Sequence, residues 1–181
     1  FSRLIDPSIT AVIVMDPWVD MATEHLNDYF GTVLEWKILP LVNHAISAGY
    51  PVIVLTNDPT GRLYNAKIHP ALDVLAAFGT LSIIYHEDMD RGVFADHLEL
   101  QGITSLIYAG FSSNMCIIGR ELGMVSMKNE GFRLFFIPEA SAAVELPDTW
   151  DTGYIHESTT LMISQWLAEI IRYDDFMSMS Y

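Results

Sequence analysis

The sequence predicts an α/β fold: a three-layer α/β/α sandwich on a mostly parallel, Rossmann-like sheet, with residues 1–181 forming a single domain. Three observations carry this expectation. Apolar runs of strand length alternate with longer stretches of helical period. The runs are continuous rather than alternating, as in strands buried on both faces. Alternation of strands with helices gives parallel strands joined by right-handed crossovers. At 181 residues, 51% of them apolar, one core can form without a disulfide or metal, burying roughly 70% of the surface of the unfolded chain.

The elements follow in order. Residues 10–16, Thr-Ala-Val-Ile-Val-Met-Asp, read as the first buried strand, and residues 30–47 as a helix stopped by Gly49. A second strand is expected over 51–56 and a third over 81–85, with a helix over 70–78 between them. A short helix over 94–100 leads to the fourth strand, 105–109. A helix over 114–129, a fifth strand over 132–137 and a last helix over 158–173 complete the chain. No repeat, linker or low-complexity segment interrupts it.

Composition excludes several function classes. Nine Lys and Arg stand against 23 Asp and Glu, a formal net charge of -14. Nucleic acid and anionic membranes are therefore not expected as partners, because phosphate binding needs clustered Lys and Arg. No apolar run reaches the ~18 residues of a membrane span. The single cysteine forbids an intramolecular disulfide and suits a reducing, cytoplasmic setting. The first residues, Phe1-Ser2-Arg3-Leu4, carry neither an initiator Met nor a signal-peptide layout and read as a trimmed start.

In doubly wound sheets, ligands bind beyond the carboxyl ends of the strands. Those ends hold Asp16-Pro17-Trp18, Thr56-Asn57-Asp58, His86-Glu87-Asp88, Gly110-Phe111-Ser112-Ser113 and Pro138-Glu139. No Gly-rich phosphate loop follows any strand, which counts against dinucleotide or P-loop chemistry. Cys116 falls in the first turn of the predicted helix after the fourth strand, with Ser113 or Asn114 as its N-cap. There the helix dipole and free amides should favour the thiolate and lower its pKa. A lone cysteine is otherwise commonly a small core residue. Asp16 would face the same crevice and could accept the thiol proton.

These residues resemble the isochorismatase-like cysteine hydrolases. The resemblance rests on a first strand ending in Asp16, the segment Ala109-Gly-Phe-Ser-Ser-Asn-Met-Cys116, and Gly131-Phe-Arg-Leu-Phe-Phe-Ile-Pro-Glu-Ala140. It spans roughly residues 9 to 172. The family pattern around the nucleophile runs Gly, apolar, small, Ser or Thr, Asp, any residue, Cys; this chain has Asn114 at the Asp position. Glu139-Ala140 stands where the family has Asp-Ala.

The resemblance implies hydrolysis of small amides, carbamoyl compounds or imides through a thioester, by a triad of Asp, Lys and Cys. Asp16 would be the general acid/base and Cys116 the nucleophile. A cis peptide is implied at Phe111-Ser112, with the amides of Ser112 and Cys116 as oxyanion hole. The family lysine belongs at the end of strand three, where this chain has His86. Lys37, Lys67 and Lys128 are its only lysines. A protonated His86 could replace the lysine; otherwise Arg91 supplies the cation, or the site has none.

Trp18, Asn57 and Phe111 are candidate substrate-binding residues, with Arg62, Tyr64 and Asn65 as further candidates to line the pocket. No metal site is expected, since Asp58 is followed at the nicotinamidase spacing by Thr60 and the six histidines lack zinc-like spacing. No cofactor is expected either. The partners expected are a small-molecule substrate and further copies of the chain, as a dimer or tetramer, with the apolar tail 173–181 as a contact. An isochorismatase cleaving a vinyl ether and an inactive binding or assembly protein are the alternatives.

Overall fold

The computed structural model describes residues 5–19, 23–60 and 67–179. Its centre is one six-stranded, all-parallel sheet in the order β3-β2-β1-β4-β5-β6. The strands are β1 (Thr10–Met15), β2 (Val52–Thr56), β3 (Ser82–Tyr85), β4 (Ser105–Phe111), β5 (Arg133–Ala142) and β6 (Glu169–Ile170). All residues of β1, β2 and β4 are buried, as their unbroken apolar runs predict for central parallel strands. Alternate residues of β1 enter different cores. Val12 and Val14 join one cluster with Phe30, Leu41 and Leu72, while Ala11, Ile13 and Met15 join the other with Phe94, Leu98 and Ile163. Two apolar faces on one sheet make the three layers.

The first face is covered by α1 (Glu24–Val33) and α2 (Leu39–Ser47), joined through a π-helical stretch at Leu34–Ile38, and by α3 (Pro70–Ala77). The widened turn ends two residues before Pro40, which has no N–H to give to the carbonyl four residues back. The second face is covered by α4 (Arg91–Leu100), α6 (Met124–Asn129) and α7 (Tyr154–Trp166). No helix among the described residues is long and apolar enough to cross a membrane.

Three elements differ from the sequence-based expectation. The helix predicted over 114–129 is two short ones, α5 (Cys116–Gly119) and α6. The last helix ends at Trp166 and is followed by β6, a strand of two exposed residues with no apolar run to announce it. The tail forms α8 (Tyr173–Met177) and packs on its own domain, with Phe176 fully buried against His44 and Tyr50.

Candidate active site

Strands β1 and β4 are neighbours whose onward connections lead to opposite sides of the sheet, so the crevice between their carboxyl ends is the topological switch point. Asp16 ends β1 with φ 42°, a left-handed conformation that Asp adopts more readily than most side chains. Opposite it, Gly110 has φ 103°. A Cβ there would collide with the backbone of Met15, so only glycine lets β4 come this close to β1. The peptide Phe111-Ser112 is cis.

The Asp16 carboxylate is 1% exposed, and a buried carboxylate requires partners. It has three. His86 Nε2 lies 3.0 Å from Oδ1, so this nitrogen carries the hydrogen in the pair. Arg120 donates from Nε to Oδ2 at 3.1 Å, and its Nη2 lies 3.0 Å from the same oxygen in an ion pair. The Cys116 thiol is also hydrogen-bonded to the carboxylate. Arg120 Nη2 further donates to Asn57 Oδ1 at 2.7 Å, and the guanidinium lies 5.9 Å from the centre of the Trp18 ring. Trp18 donates from Nε1 to Thr56 Oγ1 at 2.8 Å, and Asn57 Nδ2 donates to Glu87 Oε1 at 2.5 Å.

The thiol's pKa is raised, against the lowering expected at a helix start. Burial is the largest cause, followed by the charge of Asp16 and its hydrogen bond. Arg120 and the Ser112 amide pull the other way. The helix that was to supply the dipole is one turn long, too short to sum many peptide dipoles. Burial also works against the charge of Arg120, but Asp16 and Cys116 together raise its pKa above the ordinary arginine value. The cluster can hold a carboxylate, a thiol and a permanent cation in mutual contact, and it can pass one proton between oxygen and sulfur.

Similarity enters only at the level of three-dimensional structure. No protein-family model and no curated protein matches the sequence. A cysteine hydrolase from Pseudomonas syringae pv. phaseolicola matches with a TM-score of 0.68 at 19% identity, covering 96% of this chain and 92% of its own. An octameric hydrolase of unknown specificity from Escherichia coli matches at 0.67 and 21%, covering 96% and 79%. An isochorismatase from Pseudomonas putida matches at 0.65 and 18%, covering 93% and 90%. The chain has the isochorismatase-like fold. Nicotinamidases share it as well.

Within the isochorismatase-like fold, the structure brings together Asp16, His86, Cys116, Trp18 and Asn57, as the strand ends suggested. Phe111 does not join them. Its ring is 1% exposed and stacks on Phe30 at 4.2 Å in the core, out of reach of a ligand. Arg91 pairs with Glu130 on the surface instead of entering the crevice. Ser113 and Asn114 do not cap α5, whose N-cap is Met115. The Ser113 hydroxyl faces His156 Nδ1 at 2.9 Å, and the Asn114 amide pairs with both backbone groups of Val144. Arg62, Tyr64 and Asn65 lie outside the described residues. Among those described, no group of three or more His, Cys, Asp and Glu side chains is placed to hold a metal.

The residue missed by sequence reasoning is Arg120. Its signal was its position four residues beyond the cysteine, one helical turn away, and the pair of glycines that interrupts the helix around it.

Proposed function

We propose that the protein is a cysteine hydrolase that cleaves a non-peptide C–N bond of a small amide, carbamoyl or imide substrate through a thioester. The observation that carries this reading is the buried Asp16 carboxylate hydrogen-bonded to the only thiol of the chain, at the switch point of the sheet. Neighbours of the same fold described as hydrolases support it.

The steps follow from the two groups. Asp16 takes the thiol proton, and the sulfur attacks the carbonyl carbon. The oxyanion is received by the amides of Ser112 and Cys116; a single donor of this kind is worth about 10²–10³ in rate. As the C–N bond breaks, Asp16 returns the proton to the departing nitrogen. Water then attacks the thioester carbon and gives a proton to Asp16, which passes it to the leaving thiolate. His86, bonded to Oδ1, fixes the carboxylate, and Trp18 and Asn57 flank the substrate. The reading includes a homo-oligomer, as the Escherichia coli neighbour is an octameric hydrolase. It also includes a reducing, cytoplasmic setting that keeps Cys116 free.

A screen of small amides and ureido compounds tests it, run on the wild type and on Cys116→Ala. The expected result is turnover that the substitution abolishes, with an acyl adduct on Cys116 visible by mass spectrometry in the wild type. Turnover that survives loss of the thiol would refute the thioester.

A further inference from the structure

We propose that Arg120, and not His86, is the permanent cation of this site, and that it balances the negative charge throughout the proton transfer that forms the thiolate. This rests on the reading of Cys116 as nucleophile. Arg120 sits one helical turn past that residue, its amide donating to the Cys116 carbonyl at 3.1 Å. The chain leaves the helix there for a structural reason. A Cβ at Gly123 would lie 2.8 Å from the Arg120 carbonyl oxygen and 2.9 Å from that of Ile117, so the break between α5 and α6 closes tightly on Arg120. From beneath, the fully buried Tyr108 hydroxyl donates to the Leu122 carbonyl at 2.8 Å. The fork is oriented from above by the Asn57 side-chain oxygen and the Trp18 ring.

Charge balance explains what this arrangement does. At rest, Asp16 is a carboxylate, Cys116 a thiol and Arg120 a guanidinium. When the thiol hydrogen moves to an Asp16 oxygen, the S–H bonding pair stays on sulfur and one negative charge passes from carboxylate to thiolate. The trio's net charge is unchanged. Arg120 is paired with the group that is negative before the step and is attracted by the charge of the group that is negative after it. The His86 ring hydrogen-bonds to the carboxylate, and it is a cation only when protonated. Arginine keeps its charge at every working pH. A site run by Arg120 therefore does not lose its cation as pH rises through neutrality.

The chain has one cysteine, so alkylation by iodoacetamide, followed by intact mass, reports on Cys116 alone. Rates are measured from pH 6 to 10 on the wild type, R120Q, R120K and H86Q, each checked for native circular dichroism. R120Q is expected to slow alkylation at neutral pH roughly tenfold and raise the midpoint by about one unit, with R120K close to wild type below its own titration near ~10.4. H86Q is expected to leave the midpoint in place. An unchanged R120Q profile, or an upward shift of a unit in H86Q, overturns the assignment; if R120Q does not fold, the H86Q profile alone decides. A wild-type protein that alkylates as described but turns over no amide sinks the hydrolase reading and leaves this one standing.

Discussion

Replacing Tyr108 by Phe removes one oxygen from the interior and tests whether the sheet holds the chain break that positions Arg120. Tyr108 lies in β4, fully buried, and its hydroxyl gives a 2.8 Å hydrogen bond to the Leu122 carbonyl. The phenyl ring remains, so no large cavity opens. The loss is that of a buried hydrogen bond together with a carbonyl left short of a donor, about 1–3 kcal/mol. For a chain of this length, each kcal/mol lowers Tm by about 2–4 °C, so calorimetry should record a fall of roughly 2–12 °C. A second readout comes at high pH. Burial holds the Tyr108 pKa far above the ordinary tyrosine value, so the unfolded phenol ionises near ~10 while the folded one does not. The stability this provides is present below that pH and is lost as pH rises beyond it. The variant should show a shallower alkaline decline, though not a flat one, because burial also raises Tyr29 and Tyr173. A Tm within one degree of wild type, with the same alkaline slope, would refute the reasoning.

Three further outcomes are expected. Gly110→Ala meets the Met15 backbone at a φ of 103° and should cost upwards of ~3 kcal/mol; soluble protein with a wild-type urea midpoint would contradict this. Burial lowers the pKa of His156, against backbone and acidic neighbours that raise it. Its neutral form, which bridges the Ser113 hydroxyl and the Pro138 carbonyl, is therefore the folded one. Stability should then fall as pH drops below the unfolded value near ~6.5, and His156→Gln should flatten that part of a Tm–pH curve. Phe30→Ala removes the ring stacked on Phe111 and should lower stability by about 3–5 kcal/mol in urea titration, with a loss under 1 kcal/mol counting against close packing there.

The sheet was legible where burial dictates composition. β1, β2 and β4 are hidden on both faces and could only be written as apolar runs, whereas β6 is two exposed residues that pair with β5 and needed no such run. Asp16 and Cys116 were legible because a carboxylate and a thiol at the ends of such strands stand where the core stops. Phe111 misled because β4 continues through it, which turns its ring inward toward Phe30. The thiol's pKa misled for a related reason. The helix expected to lower it is cut to one turn by Gly119 and Gly123, and burial beside a carboxylate then decides its direction. Arg120 was overlooked although it stands four residues past Cys116, on the same helix face, because the cation was sought at the end of strand three.

Glu145 has a bearing on how this architecture tolerates change. Its buried carboxylate accepts from the amides of Ile155 and His156, the first turn of α7, and from the Thr149 hydroxyl. Gly153 caps that helix with no side-chain bond of its own. One residue just past β5 therefore fastens the helix start directly, and the chain running from 146 to 152 bears none of that attachment except through Thr149. A segment pinned at both ends by a single side chain can be lengthened without detaching α7 or the His156 it carries, provided that Thr149 and Trp150, whose ring packs on His25 and Tyr29, are kept, since added loop length costs only about 0.6 kcal/mol per doubling. That stretch is where new surface can be grafted onto this scaffold while Cys116 and Asp16 stay where the sheet puts them.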